Sequence, residues 1–254
     1  MEFISLLKKI DQLKKQFDSL KPFDVKQAEN LKEFLDIELT YNSNAIEGST
    51  LTYAETKLIL NEGITIGDKK LREHLEVINH KEAIDYIETL INKKTHEIKE
   101  CEILKIHSII LRGIDTANAG RYRNAGVRIA HSKVILPNQM KVPELMTKFF
   151  VWLQKSNNIH PVELASEAHY KFVSIHPFIN GNGRTARLLM NLILLQKGYP
   201  LFTIKIEQRK KYLEVLEKAQ LGESLENFNC IIGEAILESL KMHIEAIKKH
   251  IYYK

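Results

Sequence analysis

Cysteine is nearly missing from this chain of 254 residues: Cys101 and Cys230 are its only two, so no disulfide framework carries the fold and a reducing compartment suits it. Proline and glycine are also scarce, at 6 and 11, and no low-complexity tract, repeat or clear linker divides the chain. Long apolar runs are absent. The longest, Leu188–Leu195, is broken by Asn191 and is far too short to cross a bilayer, so no membrane contact is expected. A dominant charge sign is lacking too. The 37 Lys and Arg against 32 Asp and Glu leave +5, spread along the chain, which reads as solvated helix faces rather than a nucleic-acid patch. The opening MEFISLLKKIDQLKKQF carries charge in its first turns, unlike a signal peptide, so the cytoplasm is the expected location.

What is present is ordinary globular material with a period near 3.6. Hydrophobic residues make up 44% and charged ones 27%, and a chain of this length buries roughly 70–75% of its unfolded surface. The pattern predicts an all-α fold, with helices over 2–20, 26–46, 68–93, 97–112, 143–157, 206–220 and 224–250. Trp152, beside Leu145, Phe149 and Leu153, reads as core. His243 and His250 read as exposed. Between Gly113 and Pro137 the period changes: Val127–His131 alternates as a strand does, and Lys133–Leu136 is its expected hairpin partner.

The densest chemistry lies in His176-Pro177-Phe178-Ile179-Asn180-Gly181-Asn182-Gly183-Arg184-Thr185-Ala186-Arg187. Upstream, Val162, Ala165, His169, Phe172 and His176 share one helical face, with Pro161 as the first helical residue. Pro177 disfavours helical geometry at His176, so that helix ends there. Downstream, Arg184–Lys197 reads as a second helix, stopped by Gly198 and Pro200, with Leu188, Leu189, Leu192 and Leu195 on its buried side. Gly181-Asn182-Gly183 then feeds a helix N-terminus, where free N–H groups and the positive dipole end attract phosphate. Arg184 and Arg187, three apart, add two guanidiniums suited to a polyphosphate.

HPFINGNGRTAR resembles the signature of the Fic family, His-Pro-Phe-x-(Asp/Asn)-Gly-Asn-Gly-Arg-x-x-Arg, at every fixed position. The resemblance implies a Fic-fold helical bundle with a β-hairpin flap at 120–137, and an enzyme that moves AMP from ATP to a Ser, Thr or Tyr hydroxyl of a protein. It makes His176 the general base, assigns the phosphates to Gly181, Asn182, Gly183, Arg184 and Arg187, and gives Asn180 the divalent metal, Mg²⁺ or Mn²⁺. Many relatives carry a carboxylate at the position of Asn180. An amide oxygen still ligates Mg²⁺ but adds no charge, so the metal leans on phosphate oxygens and water. Asparagine there also occurs in the phosphorylating Doc branch, but that branch has Lys in place of Arg184 and lacks Gly183. AMP transfer is the favoured chemistry.

Ser43-Asn44-Ala45-Ile46-Glu47-Gly48 puts Ser43 and Glu47 on one helix face and a stop after it. It resembles the inhibitory (Ser/Thr)-x-x-x-Glu-(Gly/Asn) helix of autoinhibited members, here around 36–47. By that resemblance Glu47 pairs with Arg187 and fills the room of the γ-phosphate. ATP still binds, with its phosphates out of line. The alternatives are release of AMP from a modified protein using Glu47, and a nucleotide-binding module with weak turnover. The resemblance further implies a target docking on the flap by strand addition, a homodimer as in many such relatives, and Tyr212 and Gln220 near the adenine. Some relatives continue into a winged helix; this chain ends first, so no direct nucleic-acid role is expected. The plan is one unit: helices over 1–95, a core over 96–205 and closing helices over 206–254.

Overall fold

The apolar stripes become ten α-helices among residues 2–91, 97–156 and 158–249, the residues described by this computed structural model. They are α1 Phe3–Ser19, α2 Val25–Ile46, α3 Tyr53–Glu62, α4 Leu71–Thr89, α5 Glu100–Ile110, α6 Val142–Lys155, α7 Pro161–Ile175, α8 Asn182–Gln196, α9 Arg209–Gln220 and α10 Glu226–Lys248. The segment 92–96 and residue 250 lie outside the described residues, and with them the boundary expected at 95–96 and His250. No described helix is long and apolar enough to cross a membrane.

At the centre α7 packs along α8, with α4 and α5 against α8's other sides. Leu188, Leu189 and Leu192 are fully buried there, as their spacing predicts. A second pairing, α1 along α10, closes the far side. Gly233 permits it, since a Cβ on Gly233 would lie 2.7 Å from Leu6 Cδ2. This pairing corrects the exposed placement of His243: the ring is buried, its Nδ1 2.8 Å from the Ser239 carbonyl. Trp152 is only half-buried, with Lys171 Nζ 4.8 Å over its ring.

Helix α2 is seated differently from the others. Leu39 and Ile46 join the main core, but Leu31 and Leu35 form a small separate cluster with Ala246. Open grooves of 130 and 210 Å³ flank that cluster on its two sides. Helix α3 was not anticipated from periodicity. It starts on a capping box in which Glu55 N–H donates to Thr52 Oγ1 and Thr52 N–H to Glu55, and Gly63 (φ 65°) ends it.

The segment leading to Pro137 has no regular secondary structure and turns at His131 (φ 59°). The hairpin ladder expected there is not formed, and no strand is assigned among the described residues. Side chains take the backbone groups instead. Lys133 N–H donates to Glu217 Oε1 (2.8 Å) and Val134 N–H to Ser132 Oγ (3.2 Å).

Candidate active site

The turn after α7 is fixed by three neighbours. His176 adopts a left-handed conformation (φ 51°) as the C-cap, its N–H donating to Phe172 O. Buried Arg123 holds the carbonyls that follow: its Nε donates to His176 O (2.8 Å) and its backbone N–H to Pro177 O (2.8 Å). The rest of its fork reaches Ala125 O (3.1 Å) and Pro137 O (2.5 Å), so one side chain ties both ends of that segment to the motif. Asn182 then staples the turn, accepting from Phe178 N–H and donating to Phe178 O, each at 2.9 Å.

His107 supports the same loop from α5. Gly120 N–H donates to its Nδ1 (2.9 Å), so Nε2 carries the proton and donates to Asn180 O (2.9 Å). Its ring stacks flat on Phe178, with centroids 3.5 Å apart. A Cβ on Gly181 (φ 76°) would lie 3.3 Å from the His107 ring, so this position needs glycine on two counts. His176, at the mouth of this framework, is pushed down to about 4 by burial, with the Val173 carbonyl and Glu47 pulling upward and Arg123 downward. It is neutral at pH 7, with a lone pair free to take a proton.

The N-terminus of α8 forms the other half. Gly181 is the N-cap, so Asn182 and Gly183 belong to the first helical turn, two residues earlier than the sequence suggested. Arg184 is 2% exposed; its Nη1 is ion-paired with Glu76 Oε1 at 3.2 Å, while its Nε is buried without a hydrogen-bond partner. Such an orphan donor is costly unless a ligand meets it. Arg187 is fully engaged. Its Nε donates to Ser43 Oγ (3.0 Å), and its Nη2 donates to Ser43 O (2.9 Å) and to Glu47 Oε1 (2.8 Å).

Glu47 ends α2 and projects over this helix end. A Cβ on Gly183 would sit 2.2 Å from Glu47 Oε1, so the carboxylate lies on the glycine face itself. Gly48 (φ 102°) turns the chain away, and Glu73 holds the following residues by accepting from Thr50 N–H (2.6 Å) and Thr50 Oγ1 (3.0 Å). Burial pushes the Glu47 carboxyl upward, but the charges of Arg187, Arg184 and Arg209 outweigh it and hold the group below the usual carboxylate range. The Glu47 side chain is 36% exposed while that of Arg187 is 4% exposed, so the cleft opens onto the acid and not onto its partner. An anion thus already rests where the helix dipole and two guanidiniums converge.

The remaining expected residues fall as follows. Asn180 Oδ1 accepts from Gly181 N–H (2.7 Å). The Asn182 amide is spent on Phe178, leaving its backbone N–H for an anion. Tyr212 is 1% exposed, its hydroxyl 2.7 Å from His169 Nε2, so the ring meets protein on all sides. Gln220 donates to Ser174 Oγ (3.2 Å) and is half-buried, while Leu213 turns outward. The sequence reading missed Arg123, His107, Glu76 and Arg209. Arg123 sits in Gly120-Arg121-Tyr122-Arg123, where only its contacts distinguish it from Arg121. His107, a polar residue between Ile103, Ile106 and Ile110 on an apolar stripe, was the readable hint.

Buried neutral imidazoles have a cost in acid. Burial lowers His107 and His243 to about 4 and His169 to about 3, and His80 well below its ordinary value. The unfolded chain binds these protons near pH 6.5 and the fold does not, so stability is flat above pH 7 and is lost as pH falls through 6.5 toward 4. Each such ring should cost about 2 kcal/mol by pH 5. Urea unfolding at pH 7 and pH 5 checks this, and an unchanged midpoint would contradict it.

The Fic/DOC family profile matches residues 97–194. Protein adenylyltransferase Fic of Nematostella vectensis is 35% identical over 220 residues, covering 86% of this chain and 51% of that one. Protein adenylyltransferase fic-1 of Caenorhabditis elegans is 37% identical over 211 residues, covering 82% and 41%. The chain therefore spans about half the length, or less, of the curated relatives it matches. Among solved structures, Fic-1 (residues 134–508) of C. elegans superposes with a TM-score of 0.89 at 32% identity, covering 98% of this chain and 74% of that one. A Fic domain containing signaling protein from Bacteroides thetaiotaomicron gives 0.86 at 29% identity, covering 95% and 98%.

Proposed function

Because this chain belongs to the Fic/DOC family, we propose that it is a protein adenylyltransferase held inactive by its own Glu47. The observation that carries this reading is the carboxylate on the Gly183 face, bonded to Arg187 at the head of α8. A protein places an acid on such a spot at little cost only where the spot is built for anions. When α2 yields, Arg187 and the unpaired Nε of Arg184 become available to the triphosphate of ATP, together with the backbone N–H groups of Asn182 and Gly183.

The transfer then needs one proton moved and two bonds exchanged. A Ser, Thr or Tyr oxygen of the target attacks the α-phosphorus as His176 takes its proton. The new O–P bond forms as the bond from the α-phosphorus to the bridging oxygen breaks, and pyrophosphate leaves. The neutral state of His176 suits this role. Mg²⁺ or Mn²⁺ would neutralise charge on the phosphates, held by Asn180 through its amide oxygen. No three His, Cys, Asp or Glu side chains that could hold a metal cluster among the described residues, so the ion's other ligands would be phosphate oxygens and water.

The segment 120–137 serves as the flap. Ile135 is 94% exposed there, and backbone groups not already taken by Glu217, Ser132 and Arg123 are the ones that would pair with an extended target strand. Tyr212 and Gln220 are the adenine candidates, of which Gln220 is half-buried and bonded to Ser174 while Tyr212 is buried against His169. A homodimer is supported by the exposed apolar residues Leu71 and Ile78 on α4. One observation favours a second activity. Glu47 is ionised and open to the cleft, so it can also orient a water to release AMP from a modified protein.

The test uses Glu47→Gly with Mg²⁺, a cell extract and ATP labelled at the α- or the γ-phosphate. Only the α label should reach protein. Transfer of the γ label would make the enzyme a kinase.

A further inference from the structure

The end of α2 is held by a residue from a distant part of the chain. Its terminal carbonyl, Ile46 O, accepts from Arg209 Nε at 2.7 Å. Arg209 is the first residue of α9, and the segment leading into α9 grips the same helix. Ile206 N–H donates to Asn42 Oδ1 (2.8 Å), and Lys205 is ion-paired with Glu38. Glu38, Asn42 and Ile46 are four residues apart, so residues 205–209 run along one stripe of α2 and finish at the residue before Glu47.

Other bonds also hold the last turns of α2, with Ser43 and Glu47 on Arg187 and Asn44 on the Glu76 carbonyl, but Arg209 is the residue that takes the terminal carbonyl of the helix. Its first half rests on the small Leu31–Leu35 cluster between two open grooves. A cation at a helix C-terminus satisfies an orphan carbonyl and complements the dipole, and here it also faces the Glu47 carboxylate. Release of that grip would leave the terminal carbonyl without its cation and remove a positive charge that acts on the Glu47 carboxylate.

We propose that Arg209 is a positioning residue that latches the inhibitory helix, holding Glu47 over the N-terminus of α8 and so setting how strongly the protein inhibits itself. The proposal rests on the adenylyltransferase reading and adds its regulation. It places control of the Glu47–Arg187 pair in a side chain that touches neither Arg187 nor His176.

The test is a double-mutant cycle on the full chain. Arg209→Ala should raise α-label transfer and tighten MgATP binding about tenfold in the otherwise natural protein, the loss of one charge-assisted bond. In the Glu47→Gly background it should change neither by more than about twofold, because the two substitutions release the same restraint. Arg209→Lys, which keeps the charge but not the Nε geometry, should fall between. An unchanged rate and affinity in the natural background would overturn the latch. So would slower transfer in the Glu47→Gly background, which would put Arg209 on the nucleotide itself. If Glu47→Gly transfers nothing, the adenylyltransferase reading fails, and MgATP affinity still decides the latch: tighter binding by Arg209→Ala sustains it and unchanged binding ends it.

Discussion

Replacing Glu47 with glycine should raise self-labelling and target labelling about a hundredfold. The size follows from a bias rather than from a whole ion pair. Breaking a fully buried pair costs about 3–5 kcal/mol, because the partner is left uncompensated. Here the Glu47 side chain is 36% exposed, so solvent screens the pair and its net value is lower. A preference of only ~2.7 kcal/mol for the blocked arrangement suppresses the competent one about a hundredfold. Glycine removes the carboxylate without filling its place, and Arg187 passes from Glu47 to phosphate. Ser43 should keep orienting Arg187, since its Oγ and carbonyl accept from Nε and Nη2 independently of Glu47. Equal labelling rates for the natural and substituted proteins would dismiss autoinhibition.

The second large effect is expected at the opposite end of the cleft. In the Glu47→Gly background, His176→Ala should lower α-label transfer about 10²- to 10⁴-fold, the usual contribution of a positioned base. Nucleotide affinity should stay within about twofold, because the phosphate donors all lie on and beside α8. The geometry explains why no neighbour should substitute. His107, the nearest imidazole in the framework, has both ring nitrogens committed to Gly120 and Asn180. His169 is buried against Tyr212. Transfer that survives His176→Ala at more than about a tenth of its rate would remove the histidine from the reaction.

Much of this was legible in the sequence, for identifiable reasons. The helices with strong stripes emerged within a few residues of expectation, and Ser43, Glu47 and Arg187 met because a helical spacing and a signature each constrain where a side chain points. The differences have two causes. Helix α3 depends on a capping box rather than on a stripe, so a periodicity reading passes over it although Thr52 and Glu55 announce it. The flap alternates like a strand, but its own Arg123, and Glu217 from α9, take groups a ladder would use. His243 reads as terminal and therefore exposed; only the packing of α1 along α10 buries it. For the flap and His243, contacts between residues distant in sequence decide the outcome, and local pattern carries no information about them.

The central claim is that a carboxylate and a terminal phosphate compete for one place at the head of α8. Calorimetric titration of AMP, ADP and ATP, each with Mg²⁺, into the natural and Glu47→Gly proteins tests it directly. ATP should gain affinity by about tenfold or more on substitution while AMP gains almost none, because only the far phosphates reach Arg187. Equal gains for all three nucleotides, or none for ATP, would mean that Glu47 does not stand where the triphosphate must lie.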